Sequence, residues 1–262
     1  MQLFYSKEIT PTGFCTLDAE ESRHAVRVLR LREGDEMNVT DGRGNLYRCQ
    51  IVDANEKACV IGNAIVPSPT CSAGLRPQWS NPLTPSHSLS LPQIHLAVAP
   101  TKNPSRMEWL VEKAVEIGVG EITLLNCDHS ERSFLKTDRL EKLAISAMKQ
   151  SLHTLLPTIH PAANLRDWLH SNIQTFKHSN IQRFIAHCEA DKPRVPLATA
   201  LQPGKDTVVL IGPEGDFSED EIALALECNF QPVSLGPARL RTETAALYAV
   251  TAFNLINDEV TK

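Results

Sequence analysis

At 262 residues, with 42% hydrophobic and 22% charged side chains, the chain has room for one large or two ordinary domains, and its composition excludes a disordered polymer, a collagen-like repeat and a disulfide-stapled miniprotein. Its formal net charge of −5 excludes a grip on nucleic acid through bulk positive charge, so any such contact has to be local. No apolar run is long enough to span a membrane, and Met1–Thr10 lacks the basic-then-apolar order of a secretory signal; the cytoplasm is the expected compartment.

Along the chain, Asp18-Ala-Glu-Glu21 has the spacing of a capping box and opens a short helix carrying Val26 and Leu29. Strand-like runs follow at Met37–Thr40, Leu46–Val52 and Ala58–Val66, the first two joined by Asp41-Gly-Arg-Gly-Asn45, whose glycines allow the positive φ of a hairpin loop. Residues 1–66 therefore read as a small β-barrel or curled sheet with one helix. Residues 67–93 hold six prolines and a single charge, Arg76, and read as a linker.

From residue 94 to 262, strand and helix periods alternate, as in a mostly parallel sheet covered on both faces. Ile94–Ala99 is a buried strand. Asn103 and Pro104 open a helix with Met107, Leu110, Val111, Ala114 and Val115 on one face, and Gly118 ends it. Strand Glu121–Leu125, a helix capped by Asp138, a strand near Arg183–His187 and strand Thr207–Ile211 come next. Ser218 with Glu221 forms a second capping box, and strand Pro232–Leu235 leads to a last helix, about Thr242 to Asn257. That helix is apolar on nearly every side and is expected to lie between other elements. The seven cysteines show no C-x-x-C pair and no nearby histidine set, so they read as reduced, mostly buried side chains, and no metal site is expected.

In an open parallel sheet, ligands bind beyond the carboxyl ends of strands, which directs attention to the loops after Ala99, Leu125, Ile211 and Leu235. Gly212-Pro-Glu-Gly215-Asp-Phe-Ser218 is a tight turn before a helix, and Gly236-Pro-Ala-Arg-Leu240-Arg-Thr-Glu-Thr-Ala245 is another. Taken singly, each reads as a generic turn with a helix cap. Arg239, Arg241 and Glu243 beside so apolar a helix make a denser polar cluster than a solvated surface needs. The Walker phosphate loop, HExxH and G-x-S-x-G are all absent. Arg23, His24, Arg27, Arg30 and Arg32 form a basic strip, with Arg23, Arg27 and Arg30 at helical spacing; it suits phosphates, or a solvated face balanced by Glu20, Glu21 and Glu33. Lys102, Arg106 and Arg132 flank the ligand-edge loops.

Together, Arg23–Gly34, Lys102–Ile117 with its Arg-Met-Glu-Trp-Leu-Val-Glu-Lys core, Ser130–Ser133, Ile211–Ser218 and Leu235–Ala245 resemble the RsmE family of 16S rRNA uridine N3-methyltransferases in the SPOUT superfamily. The resemblance implies a PUA-like barrel that docks RNA, an α/β domain tied in a trefoil knot, a homodimer, and S-adenosylmethionine held by the knot loops. By motif, Ile211, Gly212, Pro213, Glu214 and Gly215 line one wall of that cofactor site, and Leu235, Gly236, Leu240, Arg241, Thr242, Thr244 and Ala245 the other. It implies 16S rRNA or the small ribosomal subunit as partner, with Arg23, His24, Arg27, Arg30, Arg32, Lys102, Arg106 and Arg132 as RNA contacts. Arg241 is the candidate for stabilising charge on the uracil oxygens. Glu243 is a proton acceptor or a support for Arg241, and Glu214 is a second acceptor candidate. The chain departs from the common pattern where Leu152-His153 replaces Gly-Arg after Gln150-Ser151, and in its long 67–93 segment. Two other readings of the same loops are a nucleotide-binding α/β enzyme and a non-catalytic RNA-binding module.

Overall fold

The computed structural model describes residues 2–9, 13–65, 92–131, 136–178, 180–189 and 193–258. Arg132, Cys71 and nearly all of the 67–93 segment lie outside the described residues. The chain divides into two compact units, Met1–Leu89 with Ile145–Leu156, and Ser90–Ala144 with Pro157–Lys262.

The first unit is a five-stranded sheet built from β1 (Leu3–Tyr5), β2 (Cys15–Thr16), β3 (Glu36–Thr40), β4 (Leu46–Asp53) and β5 (Val60–Ile65), in the order β1-β3-β4-β5-β2. Along β4, Tyr47, Cys49 and Ile51 are buried while Arg48, Gln50 and Val52 are exposed, the period of two that a half-covered strand requires. The β3–β4 loop is the expected hairpin turn, with Gly42 and Gly44 at φ of 74° and 96°. Its Asp41 Oδ1 accepts the Arg43 N–H at 2.8 Å.

Helix α1 (Ala19–Arg23) differs from expectation in two respects. Asp18 caps it by accepting the Glu20 and Glu21 N–H groups, but the Glu21 carboxylate meets the Lys149 ammonium, so no reciprocal box closes. The helix then widens into a π-turn over His24–Val28, and Arg30 stands at φ 59° beyond its end. Arg23, Arg27 and Arg30 therefore do not form one helical row, because a wider turn and a left-handed residue rotate Arg30 away from the i, i+4, i+7 line.

Residues 145–156 were expected within the second domain, yet they cluster with the first unit. Hydrogen bonds to main-chain carbonyls account for this: Thr154 O accepts the Thr40 hydroxyl at 3.0 Å and the Gly44 N–H at 2.9 Å, and the Leu156 N–H donates to Gly42 O at 2.8 Å.

The second unit contains β6 (Ile94–Val98), α2 (Pro104–Ile117), β7 (Glu121–Asn126), the first half of α3 (Thr137–Gln150), β8 (Thr158–Asn164), α4 (Leu165–His178), β9 (Gln182–Ala186), β10 (Val195–Pro196), α5 (Leu197–Ala200), β11 (Thr207–Ile211), α6 (Glu219–Glu227), β12 (Gln231–Ser234) and α7 (Thr242–Asp258). Its seven strands are all parallel, in the order β10-β12-β9-β11-β6-β7-β8. Strand β11 is buried at every residue, which is why Thr-Val-Val-Leu-Ile shows no alternation. Leu165 and Leu169 of α4 and Ile222 and Ala225 of α6 cover one face, against Ala97, Leu125, Ile185 and Leu210. Helix α7 packs against α2, α5, β6 and β11.

Asn103 and Gly118 bound α2 as expected, the first accepting the Ser105 N–H and the second at φ 107°. Asp138 sits inside the first turn of α3, which begins at Thr137, so its expected capping place is two residues off. Helix α7 is less enclosed than its composition suggests. Ala246, Ala249, Val250 and Phe253 are buried, whereas Thr244, Tyr248, Thr251 and Leu255 are exposed along one face.

Candidate active site

The carboxyl ends of β6, β7, β9, β11 and β12 open on one edge of the parallel sheet, and the loops leaving them hold each other through side chains. After β11, Gly212 and Pro213 are buried, Glu214 and Gly215 are exposed, and Asp216 reverses the chain at φ 67° with its N–H on Pro213 O at 3.0 Å. Asp216 spends its carboxylate on main-chain donors, the Phe217 N–H at 2.8 Å and the Cys188 N–H at 2.6 Å. Its carbonyl lies 3.0 Å from His129 Nδ1. At Gly215 a Cβ would come within 3.0 Å of His129 Cβ, so the β7 loop can approach this turn only while residue 215 is small.

The capping box at the start of α6 also reaches across the edge. Glu221, 1% exposed, accepts the Ser218 N–H through Oε2 and the Asp128 N–H through Oε1, both at 2.9 Å. Asp128 returns the connection by accepting the Ser218 hydroxyl at 2.6 Å and Arg166 Nη2 at 2.9 Å. The Ser218 hydrogen bond, followed by Arg166, holds the Asp128 carboxyl below its ordinary value. Sequence reading places His129 with Arg132 at the mouth of the cleft but names neither Asp128 nor Asp216 as a functional position. An aspartate directly after glycine was the available sign at 216, because Asp tolerates the left-handed region better than most residues.

The second loop leaves β12 through Leu235 and Gly236, the latter at φ 103°, and runs exposed to Arg239. Leu240 is half-buried and Arg241 is exposed. Thr242, 4% exposed, donates its hydroxyl to Gly212 O at 3.1 Å. This single bond places the two Gly-Pro loops side by side although thirty residues separate its partners. Among the described residues, no main-chain acceptor takes the N–H groups of Gly236 or of residues 238–241.

Positive groups gather at the mouth of the same edge. The Lys102 N–H donates to Glu214 Oε1 at 3.1 Å, and its ammonium lies 2.6 Å from Glu131 Oε2, a hydrogen bond that raises the Lys102 pKa above its ordinary value. Arg106 Nε lies 3.7 Å from Glu243 Oε1. Glu243 was expected to serve as an acceptor or to support Arg241; its ion-pair partner among the described residues is Arg106, on the helix α2 that α7 packs against. Its other oxygen is buried with no hydrogen-bond partner among the described residues. Thus Ile211–Gly215, Leu235–Ala245, Lys102 and Arg106 share one edge of the second unit. Arg23, His24, Arg27, Arg30 and Arg32 belong to the first unit, where all but the half-buried His24 are exposed.

Two family models match this chain, an RNA methyltransferase PUA domain over residues 17–62 and an RNA methyltransferase domain over residues 88–254. The chain belongs to the RNA methyltransferase family, of the RsmE type. The ribosomal RNA small subunit methyltransferase E of Buchnera aphidicola, a member of that family, is 30% identical over 257 residues, covering 96% of this chain and 91% of the relative. A solved structure of a probable rRNA-methyltransferase from Porphyromonas gingivalis superposes with TM-score 0.80 at 36% identity, covering 99% of this chain and all of the other. The methyltransferase E of Neisseria gonorrhoeae, solved bound to S-adenosyl methionine, gives TM-score 0.73 at 25% identity and 98% coverage of both chains. In this RsmE-type sheet β11 lies between β6 and β9, and α7 returns from β12 to pack on α2 and β6.

Proposed function

We propose that this chain transfers a methyl group from S-adenosylmethionine to N3 of a specific uridine in the 16S rRNA of the small ribosomal subunit, acting as a homodimer. The observation that carries the reading is the Thr242–Gly212 hydrogen bond, which sets two glycine-bearing loops against each other at the carboxyl edge of a parallel sheet. The site suits an adenosine ligand: unengaged main-chain donors at Gly236 and 238–241 match an adenine's acceptors, and Ile211, Leu235, Leu240 and Ala245 supply apolar walls. Gly212, Pro213, Glu214, Gly215, Thr242 and Thr244 complete the holding set. When bound, the donor supplies an electrophilic sulfonium methyl.

The remaining work falls to the chain's own side chains. Uracil N3 carries a proton whose pKa lies well above neutral, so the reaction gains from a cation that stabilises negative charge on the flanking oxygens; Arg241, exposed beside Thr242, takes that part. Holding the base against the donor makes the step effectively unimolecular. Because N3 belongs to the pairing edge, the uridine has to be unstacked, and Lys102 and Arg106 at the mouth engage the phosphates around it, with Arg132 as a further RNA contact by motif alone. Glu243 sets the direction of Arg106. In the first unit, Arg23, Arg27, Arg30 and Arg32, with His24, offer a basic strip to the RNA backbone.

Radiolabelled methyl transfer to small subunits lacking the modification tests the reading. The wild-type dimer is expected to label 16S rRNA, and Arg241→Ala to lower kcat by about 10²- to 10³-fold with a much smaller change in S-adenosylhomocysteine affinity. Absence of transfer by an intact dimer, or transfer undiminished in Arg241→Ala, would overturn it.

A further inference from the structure

The opposite, N-terminal edge of the parallel sheet holds a second polar cluster that plays no part in methyl transfer. His95 on β6 and Glu121 on β7 are register partners, as are Thr123 on β7 and His160 on β8. In a parallel sheet such partners share a face, so all four side chains project together. Farther along, that face is the apolar floor formed by Ala97 and Leu125. His160 Nε2 lies 3.0 Å from Glu121 Oε2, and His95 Nδ1 lies 3.8 Å from the same oxygen. One ligand atom from each of the three residues falls within 4.8 Å of the others. Thr123 Oγ1 lies 2.7 Å from His95 Nε2, and the Trp168 and His95 rings meet in a T-shaped contact with centroids 5.7 Å apart. The cluster lines a cavity of about 590 Å³.

We propose that His95, Glu121 and His160 form a binding site for a divalent first-row transition metal, zinc being the best match. Two imidazoles and one carboxylate are a recurrent zinc ligand set that leaves a fourth position for water, and here the fourth position opens on the cavity. Tetrahedral zinc, with ligands at about 2.0–2.1 Å, separates its ligand atoms by roughly 3.3 Å. The two spacings to Glu121 bracket that figure and the third lies within 4.8 Å, so side-chain shifts on the order of an ångström close the site. Thr123 supplies the supporting contact: when His95 donates from Nε2 to Oγ1, the Nδ1 lone pair faces Glu121, the tautomer a metal needs. Among the described residues, the two imidazoles are the only charged-group partners of Glu121. A divalent cation would neutralise this convergence of lone pairs and clamp the starts of β6, β7 and β8. The site is independent of the methyl-transfer reading, since its residues stand at the other end of the strands.

Equilibrium dialysis of the chelator-treated full chain against Zn²⁺, with metal content measured by mass spectrometry, tests the proposal. One zinc per chain is expected at neutral pH, together with a raised thermal midpoint. Affinity is expected to fall at least about tenfold in Glu121→Gln and in His160→Ala, and to stay unchanged in Cys188→Ser, which removes an exposed thiol as a competing ligand. Co²⁺ in place of zinc should give visible bands of a nitrogen and oxygen environment without thiolate charge transfer. Circular dichroism of the variants separates loss of metal from loss of fold. No zinc uptake by the wild type, or equal uptake by a natively folded Glu121→Gln/His160→Ala double variant, would overturn the assignment.

Discussion

Glu243 has one carboxylate oxygen 3.7 Å from the Arg106 guanidinium and the other buried without a hydrogen-bond partner, an arrangement that costs free energy unless a bound group completes it. If its task is to aim Arg106, Glu243→Gln should raise KM for the RNA several-fold and leave kcat within a few-fold. If the carboxylate accepts the N3 proton, kcat should instead fall by about 10² or more and its basic limb should vanish from the pH profile. Steady-state kinetics across pH distinguishes the two outcomes. Asp128 supports a different expectation. Its folded-state pKa is depressed, so its ties to Ser218 and Arg166 contribute fully above the unfolded value of about 4 and fade as pH falls through the lower folded one. Asp128→Asn should flatten the acid limb of the stability curve in chemical unfolding, by less than about 1 kcal/mol because the pair is largely solvated. Burial pushes the Cys49 thiol up to about 12 and also raises the Cys127 pKa, in keeping with inert structural cysteines.

At the scale of elements, what could be read depended on whether the deciding forces were local. Helix α2 was legible because Asn103, Pro104 and Gly118 act within their own turns and five apolar residues repeat on one face. Strand β8 and helix α4 were missed, since His160-Pro161 interrupts the apolar pattern and β8 is held by its pairing with β7. Strand β1, three residues long, exists because β3 receives it in parallel. The π-turn after α1 follows the same logic: Ala25 is fully buried, and the Leu29 N–H reaches back to His24 O, a compromise between helix and sheet packing that spacing cannot foretell. The β3–β4 turn yields a sharp prediction. Gly42 sits at φ 74°, and a Cβ there would lie 2.9 Å from Tyr5 Cε2 and 3.2 Å from Leu156 Cβ. Gly42→Ala should therefore destabilise the first unit by about 1–3 kcal/mol, measured by urea unfolding, and loosen the hydrogen bond between Leu156 and Gly42.

For the whole molecule, the exposed face of α7 is the feature with the widest consequence. Tyr248 is 40% exposed and Leu255 is 62% exposed, while Trp109 on α2, a helix that packs against α7, is 46% exposed. Apolar side chains at helical spacing on an otherwise well-buried helix fit an interface between two copies of the chain, which the proposed homodimer would cover. Leu255→Glu is expected to shift sedimentation from dimer toward monomer without altering the circular dichroism spectrum, because this side chain takes no part in the core of its own unit. A dimer unchanged in mass would place the interface elsewhere. Paired copies would also bring a second set of basic strips to the RNA, which helps a chain of net charge −5 bind a polyanion; lowering the salt should strengthen binding accordingly.

Read alone, the chain determined its class, the alternation of strands and helices, the caps of α2 and α6, and the two Gly-Pro loops, because each rests on hydrophobic period or on conformational preferences acting over a few residues. Tertiary structure decided which distant groups meet: Thr242 with Gly212, Glu243 with Arg106 rather than Arg241, residues 145–156 with the first sheet, and His95 with Glu121 and His160. Those pairings follow from strand order and the return of α7, where register places side chains from separate strands within a few ångströms. Nothing in local spacing encodes that order, since the energy selecting it comes from burying whole faces at once.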